Sequence, residues 1–177
     1  MKLGIFLLIA LSGFFAHAKQ SFCMQNFNAY GPVYAPSVVS RTARMNYEVL
    51  QMPQCDVVQL QEVWNKGQID QVTEDLSSSY HISAPNRAQK IGVMSLFQGL
   101  IQKTETHLFK VNSDGGFLDG ARETFNVKKA FHVVKADLPR LSESMYFMNA
   151  HLHPTSQAVR LTQILDLLDW RLQNQDL

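Results

Sequence analysis

The side chains best suited to chemistry in this chain are one carboxylate, two histidines and two asparagines, each placed where a strand-like run gives way to a loop. Glu62 follows the run Asp56-Val57-Val58-Gln59-Leu60-Gln61, between Pro53 and Asn65-Lys66-Gly67. A carboxylate carried to the edge of an apolar layer needs a compensating charge. A hard divalent cation supplies it, since Mg²⁺ takes one or two protein carboxylates and completes its shell with water and phosphate oxygens. A solvated Glu at a loop start is the plainer reading of the same residue. His151 and His153 are two residues apart, which on a strand puts both imidazoles on one face and admits a zinc pair. No third ligand of suitable spacing accompanies them, and His153 reads more simply as a loop residue before Pro154. Asn26 sits at the end of an early strand-like run from Phe22 to Phe27, and Asn28 opens the loop Asn28-Ala29-Tyr30-Gly31-Pro32 that follows. His81, His107 and His132 read as structural, and Asp114 and Asp119 as turn residues. Arg41, Arg87, Lys90 and Arg122 are solvated cations that a phosphate site could recruit.

The elements needed to position these groups are legible from periodicity. Val38, Thr42, Met45, Val49 and Met52 share one helical face between Pro36 and Pro53. A strand over Asp56 to Val63 follows, so the order strand, helix, strand predicts two parallel neighbours whose carboxyl ends gather functional groups. A helix is expected near Gln68 to Leu76. Further strands are expected at Tyr80 to Ser83, Ile91 to Phe97, Thr106 to Val111, Phe125 to Leu138 and Met145 to His151. From Ser156 the tail is helical, with Leu161, Ile164, Leu165, Leu168 and Leu172 on the face expected to lie on a sheet and Arg160, Gln163 and Asp166 off it. The fold class is α+β, of α/β-sandwich type, a mixed sheet covered by helices.

With 177 residues, 46% hydrophobic and 18% charged, the chain suits about one globular core. Its net charge of +1 provides no basic stripe of the kind a processive nucleic-acid enzyme presents. Met1-Lys2, the apolar run Ile5 to Leu11 and Ala16-His17-Ala18 have the layout of a signal peptide over residues 1–18. That run is shorter than the roughly 20 residues a membrane span requires. Cleavage after Ala18 would release residues 19–177 to the periplasm or the extracellular space. There Cys23 and Cys55, the only cysteines, could pair or remain two buried thiols.

The string Asp56 to Val63 closely resembles the D-[IV]-[VI]-x-L-Q-E-[VT] signature of the endonuclease/exonuclease/phosphatase superfamily, which includes deoxyribonucleases, inositol polyphosphate 5-phosphatases and neutral sphingomyelinases. Other landmarks occur in order. Asn26, with Asn28 as the competing alignment, matches the first-strand asparagine, and Arg44 and Leu50 fall in the helix before the L-Q-E strand. Gly92-Val93-Met94-Ser95 resembles a G-x-x-x-S strand, Lys128-Lys129-Ala130 a Lys-Gly, Asn149-Ala150-His151-Leu152 an N-T-H-L segment, and Arg160 with Gln163 an R-x-x-Q helix start. The resemblance implies the first half of a four-layer fold. It also implies a secreted hydrolase of phosphoester bonds dependent on Mg²⁺, or on Mn²⁺ or Ca²⁺. Glu62 and Asn26 would bind the metal, Glu62, His151 and Asn26 would be catalytic, and His151 and Asn28 would contact substrate. The substrate would be nucleic acid or a phospholipid head group.

The family's G-D-x-N and S-D-H motifs occur nowhere in the 177 residues. Residues 19–177 are therefore expected to be a domain incomplete at its carboxyl end, one sheet with an uncovered inner face, inactive by itself for want of a general base. The alternative is a catalytically inactive module that binds phosphorylated ligands. No stable protein partner is expected unless this short chain is the natural product.

Overall fold

The computed structural model describes residues 21–29, 55–64, 66–85, 91–113 and 127–174. The signal segment, the helix between Pro36 and Pro53, and Arg41, Arg44, Leu50, Arg87, Lys90, Asp114, Asp119 and Arg122 lie outside them.

Strand β1 (Met24–Asn28) runs parallel to β2 (Val57–Gln61), with Asn26 opposite Gln59 and Asn28 opposite Gln61. Helix α1 (Lys66–Leu76) leads to β3 (His81–Ser83) and β4 (Val93–Phe97), and β4 lies antiparallel between β2 and β3. The first sheet is therefore mixed, in the order β1-β2-β4-β3. Every residue of β2 and β4 is buried, as an interior strand covered on both faces must be. Strand alternation sends Val58, Leu60, Met94 and Leu96 outward against Ile69 and Val72 of α1 and against Tyr80. Tyr80 donates its hydroxyl to the Cys55 carbonyl at 3.0 Å, and Cys55 is disulfide-bonded to Cys23, so the pair is a bridge.

The second sheet is antiparallel and follows β5 (Leu100–Leu108), β6 (Ala130–Asp137) and β7 (Met145–Ala150) in order. β5 begins six residues before the expected Thr106. The chain crosses between sheets at Gln98-Gly99 and pairs at once, Leu100 opposite Asp137. Only glycine fits at the crossing, since a Cβ on Gly99 would lie 1.8 Å from the Asp137 carbonyl oxygen. The two sheets pack face to face through Val57 and Phe97 on one side and Val134, Ala136 and Phe147 on the other. This corrects the expectation of a single sheet with an uncovered inner face. The strands after β4 do not extend the first sheet but form the second, because the crossing at Gly99 redirects the chain.

Helix α2 (Gln157–Gln173) covers the outer face of the second sheet, giving four layers: α1, sheet, sheet, α2. Ser156 caps it, its hydroxyl accepting from the Val159 amide at 3.4 Å. The face it buries is the reverse of the expected one: Val159, Gln163, Asp166 and Trp170 are inside, while Leu161, Ile164, Leu165, Leu168 and Leu172 are exposed. The reason is polar. Gln163 accepts from the His153 amide at 2.8 Å and donates to the Val111 carbonyl at 3.1 Å, and Asp166 accepts from the Lys110 amide at 2.9 Å. Each such loop group would cost about 1–3 kcal/mol if buried unpaired, which fixes the rotation of the helix.

Candidate metal and phosphate site

The carboxyl ends of β1, β2 and β7 meet at one edge of the sandwich. β2 leaves its sheet at Glu62, which has φ 63°, the only positive φ at a non-glycine among the described residues. A side chain held in that region costs about 1–2 kcal/mol and persists only where its neighbours over-determine it. They do so here: the Ala29 amide donates to the Gln61 carbonyl at 2.9 Å, and the Val63 amide to the Gly92 carbonyl at 3.2 Å. The turn delivers the partly exposed Glu62 carboxylate to the rim.

Asn28 Nδ2 donates to Glu62 Oε1 at 3.1 Å. His151, one residue past β7, brings Nε2 to 3.8 Å from the same oxygen. Asn28 is thus the asparagine on the carboxylate. Asn26, two residues earlier on the same face of β1, instead accepts from Gln61 Nε2 at 2.6 Å. Gln61 also donates to Asn149 Oδ1 at 2.7 Å. Asn149 Nδ2 reaches the Leu60 and Met94 carbonyls at 3.1 and 2.9 Å and Ser95 Oγ at 3.3 Å. This buried amide network ties the second sheet to the first directly beneath Glu62.

Trp64 forms the adjoining wall. His151 lies against its ring at 5.6 Å between centroids, and Lys129 Nζ sits over the indole 5.5 Å from its centre. Gly92, at φ 73°, makes this possible, since a Cβ there would fall 2.2 Å from Trp64 Cε3. The Trp64 amide is held by Gln68 Oε1 at 3.0 Å, from the first turn of α1. Periodicity and spacing did not single out Trp64, while Lys129 had entered through the match of Lys128-Lys129-Ala130 to a Lys-Gly. The available signal was an aromatic residue two positions after the strand-end carboxylate, with a glycine opening β4.

The remaining candidates have other tasks. His153 is buried, and its Nδ1 accepts from the Ser156 amide at 3.0 Å, shaping the approach to α2. Among the described residues no three His, Cys, Asp or Glu side chains converge on one point. His132 bridges the sheets between Ser83 Oγ at 2.7 Å and Thr106 Oγ1 at 2.9 Å, and burial lowers its pKa to about 4. A groove of about 360 Å³ between β5 and α2 is lined by Glu105, His107, Lys110, Asp166 and Trp170, away from Glu62. Its carboxylates are already engaged: the hydrogen bond from Lys103 leads in holding Glu105 below the usual carboxylate range, and Lys110 pairs with Asp166 and Asp169.

A carboxylate flanked by an amide and an imidazole, over a rigid aromatic wall, is the donor set a hard cation and a phosphate share. No protein-family model and no curated protein matches the chain. Solved structures do. A β-hairpin deletion mutant of beta toxin from Staphylococcus aureus superposes with a TM-score of 0.72 at 14% identity, covering 88% of this chain and 62% of that one. The chain shares the fold of this structure. Sphingomyelinase C from Streptomyces griseocarneus superposes with a TM-score of 0.64 at 15% identity, covering 87% of this chain and 58% of that one. TDP2 from D. rerio, complexed with a single-strand DNA product, gives 0.56 at 16%, with 84% and 53% covered. The chain therefore spans less than two thirds of the length of these neighbours. Among the described residues no helix is long and apolar enough to cross a membrane.

Proposed function

We propose that this chain is the metal- and phosphate-binding part of an exported phosphodiester hydrolase. The observation that supports this reading is the convergence of Asn28, Glu62 and His151 at the carboxyl ends of β1, β2 and β7. Glu62 would anchor Mg²⁺ or a similar divalent cation, which when bound withdraws charge from the phosphate and lowers the barrier to attack by water. Asn28 holds the carboxylate in place, and Asn26 acts one step back through Gln61. His151, tilted against the Trp64 ring, would donate from Nε2 to a phosphate oxygen, an arrangement that the anion itself favours by stabilising imidazolium. Nucleic acid and phospholipid head groups are both substrate classes of this reading, in keeping with the neighbours TDP2 and sphingomyelinase C.

The test is hydrolysis of bis(p-nitrophenyl) phosphate by the natural mature protein, with and without Mg²⁺, for the parent and Glu62→Gln. The expected result is cation-dependent turnover reduced at least about 100-fold in the variant, with an unchanged circular dichroism spectrum. Turnover that ignores both the cation and the substitution would refute it. Absence of the G-D-x-N and S-D-H motifs from the 177 residues favours a second reading, a phosphate-ligand binder without catalysis. Saturable binding of inorganic phosphate with no turnover would establish that one instead.

A further inference from the structure

We infer that α2 carries a self-association seam through which Leu161, Leu165, Leu168 and Leu172, flanked by Ile164, meet the same residues of a second copy of this chain. These side chains are 59%, 53%, 53%, 61% and 40% exposed. The helix cannot turn them inward, because its opposite face is committed to the second sheet through Trp170 and through the hydrogen bonds of Gln163 and Asp166. The four leucines are spaced four, three and four residues apart, the 3.5-residue repeat that keeps a narrow seam facing another helix. A lipid-bound helix is recognised instead by an excess of Lys and Arg around a broad apolar arc. Here the charged residues of α2 are balanced, Arg160 and Arg171 against Asp166 and Asp169, which gives no attraction to an anionic surface.

The occupant follows from self-complementarity and size. In a two-fold pair each residue of the patch is used twice, and an uncharged stripe meets its own copy without like-charge conflict. Five half-exposed aliphatic residues offer roughly 100 Å² each, so a pair buries about 1,000 Å², where specific interfaces begin. The dimer is therefore of the weak, reversible class.

Sedimentation velocity on the full chain from about 1 to 200 µM is expected to show a concentration-dependent monomer–dimer equilibrium. Leu165→Glu with Leu168→Glu should weaken it at least about 100-fold, because each dimer would then bury four unpaired carboxylates. Circular dichroism and Trp fluorescence should not change, since both positions point away from the sheet. If that variant loses its fold, Leu161→Ser with Leu172→Ser replaces it, with the same expected direction. A monomer throughout the range, or association that survives the substitutions, overturns the inference. So does leucine-dependent binding to 70:30 phosphatidylcholine:phosphatidylserine vesicles by a chain that stays monomeric.

Discussion

His132 gives the fold a pH dependence that can be worked out from its surroundings. The ring is buried between the sheets, with Nε2 on Ser83 of β3 and Nδ1 on Thr106 of β5. A neutral imidazole has one donor and one acceptor, and two hydroxyls that can each play either role satisfy both. Burial is the main cause that lowers its pKa from 6.5 to about 4, the His107 charge adds to it, and a hydrogen bond with the Glu105 backbone opposes it. The unfolded chain takes up this proton near pH 6.5 and the folded one only near 4, so in that window the unfolded state binds one more proton. Stability is then fully present above about pH 6.5 and falls by about 1.4 kcal/mol per pH unit on acidification, reaching a loss of roughly 3 kcal/mol once pH passes below 4. Urea unfolding at pH 7.5, 6.5, 5.5 and 5.0 measures it, with His132→Gln as the comparison because an amide bonds to both hydroxyls and does not titrate. The parent should lose about 2 kcal/mol between pH 7.5 and 5.0 beyond any loss in the variant. Equal slopes in the two proteins, or an NMR titration placing His132 near pH 6.5 in the folded state, would refute the reasoning.

Three other perturbations test the site and its frame. Gly92→Ala places a methyl group against the Trp64 ring at a positive φ, and should cost at least about 2 kcal/mol while changing Trp fluorescence; an unaltered unfolding midpoint would show that Trp64 is not held there. Glu62→Gly releases the φ 63° strain and should raise stability by up to about 1 kcal/mol while abolishing cation binding measured by calorimetry, and a clear destabilisation would mean that the turn is not strained. Reducing the Cys23–Cys55 bridge opens a connection between residues 32 apart and should lower unfolding stability by about 3–4 kcal/mol, read as a denaturation midpoint with and without reductant.

Short-range pattern was enough to locate most elements and the central carboxylate. Alternation and turn residues marked β2, β4 and β7, and Pro53 with Asn65-Lys66-Gly67 bounded the strand that ends at Gln61, so Glu62 stood out as a carboxylate at an apolar strand's edge. The resemblance in that same string pointed to the fold that the solved structures share. Nothing local distinguished Asn26 from Asn28, which lie on one face of one strand. Their separation came from register, because pairing with β2 sets Asn28 beside Gln61 and the Glu62 turn, and leaves Asn26 to the Gln61 amide. Trp64 as a wall for His151 likewise depends on β4 delivering Gly92 to the far side of the ring, a contact between segments almost thirty residues apart.

The tail helix marks the boundary between the two kinds of information most sharply. Its sequence determined that residues from Ser156 onward are helical and that Leu161, Leu165, Leu168 and Leu172 share a face, since both follow from a 3.6-residue period. It could not determine which face turns inward. That choice depended on loop groups that Gln163 and Asp166 pair: the buried His153 amide and the partly buried Lys110 amide and Val111 carbonyl. Burying a hydrogen-bonding group unpaired is costly wherever it occurs, and the location of those groups exists only in the assembled chain. The sequence alone therefore determined the elements and the chemistry that Glu62 and His151 can offer. Tertiary structure decided how the strands divide into two sheets, which asparagine meets the carboxylate, and which side of α2 lies on the second sheet.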